Sequence, residues 1–258
     1  MKATALITGA SSGIGKELAR CHARAGGNLV ITARRDEALQ QLKAELEDEY
    51  DSDVVCIATD LTDRGSPKQI YDQLQKQHVT IDALINNAGF GGHGLFYERD
   101  WAKDRAMIEL NVMAVTELCH LFLPGMVARG RGRILNVAST AGFMPGPMQA
   151  VYYATKAYVL SLSQAIAEEL RNTDVTVTAL CPGPVATEFA EVGNLEDVPA
   201  FKDPASPKAV AEVGYEAMQK GKLVAINDVK LSFAINWLIP LMPRKLVLKL
   251  SRKSMQKP

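Results

Sequence analysis

The sequence has few features that would attract polyanions, bind metals or form disulfides. It carries 29 acidic and 29 basic residues, so its formal net charge is zero and no overall field favours nucleic acid as a partner. There are only four cysteines, widely spaced and without a C-x-x-C motif: Cys21, Cys56, Cys119 and Cys181. This pattern favours reduced packing residues over a disulfide framework or a metal site, and it predicts a cytoplasmic protein.

The apolar runs at the two ends of the chain are short. The run at 1–8 is too short for a signal peptide, and we expect it to form the first strand. The run at 231–243 is shorter than the roughly 20 residues that span a bilayer, and Pro240 and Pro243 interrupt it. No internal repeat or low-complexity tract is present. With 258 residues, 47% of them hydrophobic, the chain suits a single domain over 1–258.

Strand-like and helical patterns alternate along the sequence. Short apolar runs predict strands at 3–8, 28–32, 54–58, 83–86, 133–137, 175–180 and 223–226. Such alternation is typical of a parallel sheet, and right-handed crossovers place helices on both of its faces. The prediction is therefore an α/β fold: a Rossmann-type doubly wound parallel sheet in three αβα layers. Its ligand crevice should lie at the carboxyl ends of the strands.

A glycine-rich turn joins the first predicted strand to a helical pattern at 16–25. Gly9, Gly13 and Gly15 permit positive φ and close approach of the backbone, so the N–H groups at the start of the helix can face a pyrophosphate. The order of strand, glycine turn and helix predicts a dinucleotide site. The spacing differs from G-x-G-x-x-G, and a glycine cluster by itself is also found in flexible turns.

Tyr152 and Lys156 are the strongest indication of chemistry. They are four residues apart in a helical pattern and so share one face, while Ser139 follows a predicted strand. At about 4 Å and an effective dielectric near 20, the ammonium should lower the pKa of the phenol by about three units. Tyr152 would then exchange a proton near neutral pH. The spacing alone also occurs by chance on exposed helix faces.

Taken together, the motifs resemble the short-chain dehydrogenases/reductases, in their compact branch, from residue 2 to about 226. The motifs stand in the order of that family: Thr8, Gly9, Ala10, Ser11, Ser12, Gly13, Ile14, Gly15, then Asn86, Asn87, Ala88, Gly89, then Asn111, Ser139, Tyr152, Lys156, and finally Pro182, Gly183, Pro184, Val185, Ala186, Thr187. Tyr153 adjoins the motif, but only Tyr152 lies four residues before Lys156.

The resemblance implies hydride transfer between a nicotinamide and a carbonyl or carbinol carbon. Tyr152 would be the acid or base, and Ser139 would hold the substrate oxygen. Lys156 would bind the nicotinamide ribose, and Asn111 would hold a water linked to Lys156. Asn111 as a plain helix residue and Ser139 as a turn residue are the alternatives.

Cofactor preference depends on the end of the second strand, where NAD enzymes place an acid for the ribose hydroxyls. Arg34 and Arg35 stand there, and a guanidinium binds a 2′-phosphate, so NADP(H) is favoured over NAD(H) unless both are simply solvated. By resemblance Asp60 contacts adenine; a turn acid is the alternative. The predicted cofactor-binding residues are Gly9, Ser11, Ser12, Gly13, Ile14, Gly15, Arg34, Arg35, Asp60, Leu61, Asn87, Ala88, Gly89, Tyr152, Lys156, Pro182, Gly183, Val185 and Thr187.

The segment 188–207 lacks a periodic pattern, and we expect an irregular lid over the substrate. Its apolar members should line a mostly hydrophobic pocket together with three residues upstream, unless they only pack: Phe189, Val192, Leu195, Phe201, Phe143, Met144 and Met148. An apolar ketone or alcohol is therefore the expected substrate. A catalytically silent NADP(H)-binding sensor or scaffold is the alternative function.

The extension at about 229–258 exceeds the core that the family shares. Packing over the substrate mouth, a subunit contact and an interfacial membrane contact all stay open for it. Trp237 beside basic residues motivates the membrane contact. The resemblance also implies a homodimer or homotetramer that pairs through helices at about 101–129 and 152–171, whose apolar stripes otherwise face the sheet.

Overall fold

The computed structural model describes residues 2–257, and its centre is a parallel sheet. Within that range the strands are Thr4–Thr8 (β1), Asn28–Ala33 (β2), Val54–Ala58 (β3), Ala83–Asn86 (β4), Gly132–Val137 (β5), Val175–Leu180 (β6) and Val224–Ala225 (β7). They pair in the order β3-β2-β1-β4-β5-β6-β7, and every pair is parallel. The strand order reverses between β1 and β4, so a crevice opens at their carboxyl ends.

Helices cover both faces of the sheet. The α-helices are Gly13–Arg24 (α1), Asp36–Tyr50 (α2), Ser66–Lys76 (α3), Trp101–Ile108 (α4), Val115–Ala128 (α5), Ala150–Glu169 (α6), Glu188–Val192 (α7), Pro207–Gln219 (α8), Val229–Phe233 (α9) and Arg244–Met255 (α10). Apolar side chains of α1, α2 and α8 pack on one face, and those of α3, α5 and α6 on the other. The predicted three-layer, doubly wound α/β fold is confirmed.

The core explains why the strands have continuous apolar sequences. Leu6, Ile7, Leu84 and Ile85 lie on adjacent strands and are fully buried, because helices cover both sides of the sheet. The helical run Trp101–Ala128 is long and apolar enough to cross a membrane by length and composition. Its apolar residues Leu118, Phe122 and Met126 are buried against the sheet, which is the behaviour of a core helix.

Four short elements were not predicted from the sequence. The run Trp101–Ala128 contains a π-helical stretch at Glu109–Ala114, and another π-helical stretch covers Ala234–Leu238. The expectation that 188–207 is irregular is wrong, because α7 and a 3₁₀ turn at Pro199–Phe201 lie within it. The Thr187 hydroxyl caps α7 by accepting from the N–H of Phe189 at 3.3 Å. Such short helices depend on caps and tertiary packing, which periodicity does not register.

A buried chain of polar side chains connects the sheet to α6. The Asn86 amide on β4 donates to Asn136 on β5 at 2.8 Å, and Asn136 donates to the Ser163 hydroxyl at 2.9 Å. Ser163 in turn donates to the carbonyl of Val159 at 2.7 Å. All three side chains are buried, so each depends on its partner for satisfaction. This network fixes α6, the helix that carries Tyr152, against the carboxyl half of the sheet.

We expect Asn136→Ala to lower the free energy of unfolding by about 1–3 kcal/mol, because it removes the oxygen that accepts from the buried Asn86 amide and the amide that donates to the buried Ser163 hydroxyl. Urea unfolding followed by circular dichroism measures the change. Asn172→Ala, at an exposed turn, is the matched control and should leave stability nearly unchanged. Equal effects of the two substitutions would show that the network does not stabilise the sheet.

Candidate active site

A cavity of about 730 Å³ lies at the carboxyl ends of the strands. Nearly all predicted site residues line it: Gly9, Ser11, Ser12, Gly13, Ile14, Arg34, Arg35, Asp60, Leu61, Asn87, Ala88, Gly89, Ser139, Tyr152, Lys156, Pro182, Gly183, Val185 and Thr187. Gly15 and Asn111 are the predicted residues that do not line it. The topology therefore gathers segments that are far apart in sequence into one site.

The glycine turn forms one wall of the cavity. Gly9 has a φ of 65°, which only glycine adopts without strain, and a Cβ there would lie 2.9 Å from the Cα of Ala88. A side chain at Gly15 would collide with the carbonyl oxygen of Gly9 and the side chain of Asn87. Gly15 thus lies behind the wall and serves close packing. The first residues of α1 face the cavity, so its free N–H groups suit an anion such as a pyrophosphate.

Tyr152 and Lys156 lie in the first two turns of α6, and both side chains are buried. The Lys156 ammonium donates to the carbonyl of Val137, at the end of β5, at 2.7 Å. Its Nζ lies 5.8 Å from the centre of the Tyr152 ring. The helical spacing therefore brings the two groups together as predicted, but the hydrogen bond of the ammonium goes to the strand.

Burial reverses the predicted change in the pKa of Tyr152. Removal of the phenol from water raises the pKa of Tyr152 above its ordinary value, and the Ser139 hydroxyl opposes this less strongly. Burial also lowers the pKa of Lys156 to about 8. Both shifts follow because an apolar environment disfavours the charged form of each group. The prediction that Lys156 lowers the pKa of Tyr152 is wrong here, since spacing gives proximity but not desolvation.

Ser139 begins the 3₁₀ turn Thr140–Phe143 directly after β5. Its hydroxyl accepts from the N–H of Ala141 at 3.1 Å and donates to the carbonyl of Pro182 at 3.3 Å. Ser139 is therefore a turn residue, which was the alternative to a catalytic role in the sequence analysis. It also lines the cavity beside Tyr152. These two descriptions are compatible, because the turn fixes the position of the hydroxyl.

Asn111 is buried in the π-helical stretch Glu109–Ala114. Its amide nitrogen donates to the carbonyl of Phe90 at 3.0 Å and to the Thr155 hydroxyl at 3.1 Å. Its oxygen accepts from the N–H of Phe90 at 3.2 Å. Asn111 thereby joins the loop after β4 to α6, one residue from Lys156. Widening of one helical turn often marks a functional position, and nothing in the sequence pattern announces it.

The two arginines after β2 have different partners. The Arg35 guanidinium pairs with Glu188 of α7 at 2.9 Å, and Ser12 donates to the same carboxylate at 3.2 Å. Arg34 lies 4.0 Å from Asp60 and is largely exposed. Asp60 accepts from the N–H and the hydroxyl of Thr62, so it is a turn acid that also lines the cavity.

Aromatic and aliphatic side chains line the other end of the cavity. The Phe189 ring of α7 lies against the Tyr152 ring at 5.3 Å between centroids, and it stacks on Phe201 at 6.4 Å. Val192 and Met144 also line this end. The remaining members of the predicted apolar set do not line the cavity. Leu195 and Met148 pack in the same cluster as Phe189 and Phe201, and Phe143 packs with the core on the sheet.

The cavity is also lined by residues that were not among the predicted site residues, and these include Phe90, Gln149, Leu231, Ser254 and Met255. Gln149 is buried, and its amide nitrogen has no hydrogen-bond partner among residues 2–257. In the sequence, its position three residues before Tyr152 could have indicated that Gln149 lies in the site. Leu231, Ser254 and Met255 come from the C-terminal extension, so at least this part of the extension packs over the substrate end, one of the three interpretations left open.

Comparison with known proteins agrees with this geometry. The sequence profile described as short chain dehydrogenase matches residues 3–196. The NADP-dependent 3-hydroxy acid dehydrogenase YdfG of Salmonella typhi is 38% identical over 193 residues, covering 72% of this chain and 75% of that protein. The very-long-chain 3-oxoacyl-CoA reductase of Macaca fascicularis is 30% identical over 258 residues, covering 96% and 78%.

A solved structure shows the same fold over most of the chain. The short-chain dehydrogenase from Sphingobium yanoikuyae in complex with NADPH superposes with a TM-score of 0.83 at 32% identity, covering 93% of this chain and 96% of that one. The profile match spans most of the chain, and the similarity to these oxidoreductases extends beyond it. The chain belongs to the short-chain dehydrogenase family and is an oxidoreductase that acts on CH–OH donors.

Proposed function

We propose that this protein is an NADP(H)-dependent oxidoreductase that interconverts a carbonyl and a secondary alcohol, with Tyr152 as the acid or base. The observation that carries the proposal is the single cavity that joins two sets of groups. Tyr152, Ser139 and Lys156 lie at one end, and the glycine turn with Arg34 lies at the other. A silent sensor has no physical need for the first set.

Each side chain has a defined part in this proposal. A bound nicotinamide supplies the hydride in reduction and accepts it in oxidation. The Tyr152 phenol donates its proton to the carbonyl oxygen of the substrate and removes it in the reverse direction. Ser139 holds that oxygen by a hydrogen bond. Lys156 binds the ribose hydroxyls. Asn111 holds the loop after β4 against α6, and it also holds a water near Lys156.

The residues at the other end suit NADP(H). Of the two guanidiniums, Arg34 has the weaker ion pair, because it lies 4.0 Å from Asp60, whereas Arg35 pairs with Glu188 at 2.9 Å. A 2′-phosphate accepts charge-assisted hydrogen bonds from either arginine and would compete with Glu188 for Arg35. The NADP-dependent relative from Salmonella typhi and the NADPH complex from Sphingobium yanoikuyae support the same preference.

The substrate end favours an apolar ketone or alcohol with a second polar atom. Phe189, Phe201 and Met144 supply apolar surface, and the unpartnered Gln149 amide is a donor for a substrate oxygen. The name of the Macaca relative, a reductase of 3-oxoacyl-CoA, fits this combination.

We also propose a cytoplasmic location, because all four cysteines are free. We further propose an oligomer that pairs through the helices at 101–129 and 152–171, where Met113 and Tyr158 are exposed.

Tyr152→Phe should abolish turnover, with a loss of about 10²- to 10⁴-fold, because it removes the proton donor without changing the ring. NADPH oxidation measured against ketones, aldehydes, 3-ketoacyl thioesters and ketosteroids gives the rate. Cofactor binding, followed by fluorescence titration, should stay unchanged. Tyr153→Phe is the matched control and should keep turnover. Full activity of Tyr152→Phe would remove the residue from the mechanism, and NADPH binding by wild type without turnover of any substrate would favour a silent binding protein.

The two reaction directions should differ in their dependence on pH. Reduction uses the protonated phenol, and oxidation uses the phenolate. Because burial raises the pKa of Tyr152, the protonated form prevails at neutral pH. We therefore expect initial rates of oxidation to rise toward alkaline pH, while reduction is retained at neutral pH and falls only as the phenol ionises. Rates of oxidation that are highest near neutrality would contradict this assignment.

Arg34→Ser should raise the KM for NADPH about 10- to 100-fold and leave the KM for NADH nearly unchanged, because it removes a charge-assisted hydrogen bond to the 2′-phosphate. Steady-state kinetics with both cofactors measure the ratio. Arg171→Ser removes an exposed arginine that pairs with Glu168 on α6 and should alter neither constant. Equal increases with both cofactors would mean that Arg34 does not select the phosphate.

A further inference from the structure

The C-terminal segment 229–241 presents large apolar side chains to solvent. Val229, Phe233, Trp237 and Leu241 are 84%, 58%, 65% and 84% exposed. They are four residues apart along α9, the π-helical stretch and the turn that follows, so they lie along one side of a helical path. Ile235 is buried and fixes the opposite side to the protein. This exposed row is too large and too regular to be scattered surface residues.

Basic charge accompanies the exposed row. Seven of the 29 basic residues and none of the 29 acidic residues fall between positions 229 and 258: Lys230, Arg244, Lys245, Lys249, Arg252, Lys253 and Lys257. Within residues 2–257 the ion pair formed by this segment joins Lys257 to Asp197. In a chain of zero net charge, the segment is therefore a local cationic surface whose charges are largely uncompensated.

Helix α10 combines the two properties. Val247, Ser251 and Met255 face inward, one turn apart, whereas Leu246, Leu248 and Leu250 are exposed among the basic residues. The end of α10 is fixed because His93 Nε2 donates to the carbonyl of Met255 at 2.7 Å. A surface of exposed leucines and lysines on a firmly attached helix matches an interfacial helix more closely than a solvated one.

The same segment borders the cavity. Leu231 of α9, together with Ser254 and Met255 near the end of α10, lines the substrate end. The segment that carries the exposed row therefore also contributes to the wall of the substrate end. The apolar run is too short to span a bilayer, so a contact in the plane of the interface is the geometry available to it.

We propose that residues 229–253 form a docking surface for an anionic lipid bilayer. The exposed apolar row inserts at the boundary between headgroups and acyl chains, and the basic side chains contact anionic headgroups. Each such lysine or arginine strengthens binding by about fivefold. In this orientation the residues of the segment that line the substrate end lie close to the bilayer. The attachment itself does not depend on the proposed reaction.

Sedimentation with lipid vesicles tests the proposal on the full chain. The protein should sediment with phosphatidylcholine vesicles that contain phosphatidylserine, at least tenfold more than with phosphatidylcholine alone, and raised salt should release it. The Trp237→Ala, Leu241→Ala double variant and the Lys245→Glu, Lys249→Glu double variant should each lose at least tenfold of this binding. Trp101→Phe, at a tryptophan that is also 65% exposed, is the matched control and should bind like wild type.

The sequence contains two tryptophans, so Trp101→Phe leaves Trp237 as the sole reporter. Its emission should shift to shorter wavelength when anionic vesicles are added, because the indole leaves water. Absence of sedimentation with anionic vesicles would overturn the proposal, as would binding that the Trp237 and Lys245 variants retain. Self-association that Trp237→Ala abolishes, without vesicle binding, would also overturn it and assign the surface to a second copy of the chain.

Discussion

The hydrogen bond from the Lys156 ammonium to the Val137 carbonyl is the contact on which the geometry of the site depends. It ties α6 to the end of β5 at 2.7 Å. Ser139 lies two residues beyond Val137, and Tyr152 lies one turn before Lys156, so this one contact sets the distance between the strand-borne hydroxyl and the helix-borne phenol. A buried ammonium is costly unless it is hydrogen-bonded, and the strand carbonyl supplies that bond.

The surrounding polar contacts hold the same elements from other directions. Asn111 joins the loop after β4 to Thr155, the neighbour of Lys156, and the chain from Asn86 through Asn136 reaches α6 about two helical turns further on, at Ser163. These bonds lie in a largely apolar interior, where an unmet polar group is expensive. Alternative packings of α6 would leave several such groups unmet at once, so one arrangement is strongly favoured.

Sequence reasoning predicted the parts of the molecule that follow from local pattern. The bounds of the first six strands agree to within one residue, because buried parallel strands have continuous apolar sequences, while β7 is reduced to Val224–Ala225 at the sheet edge. The sequence also predicted that Ser139, Tyr152 and the glycine turn meet in one crevice, because each lies in a segment that follows the carboxyl end of a parallel strand. The π-helical turn at Asn111, the capped helix α7 and the raised pKa of Tyr152 were not predicted, since each is set by tertiary packing or burial rather than by spacing.

Helix α7 contacts both ends of the cavity. Glu188 pairs with Arg35 and accepts from Ser12 at the nucleotide end, while the next residue, Phe189, lies on the Tyr152 ring. The segment is held at its base, where Ala186 and Ala205 are joined by a hydrogen bond of 2.9 Å. A phosphate that pairs with Arg35 competes with Glu188 for the guanidinium. Because Glu188 and Phe189 are adjacent in one short helix, the same turn of backbone carries the carboxylate that pairs with Arg35 and the ring that lies against Tyr152. The position of α7 therefore depends on contacts at both ends of the cavity.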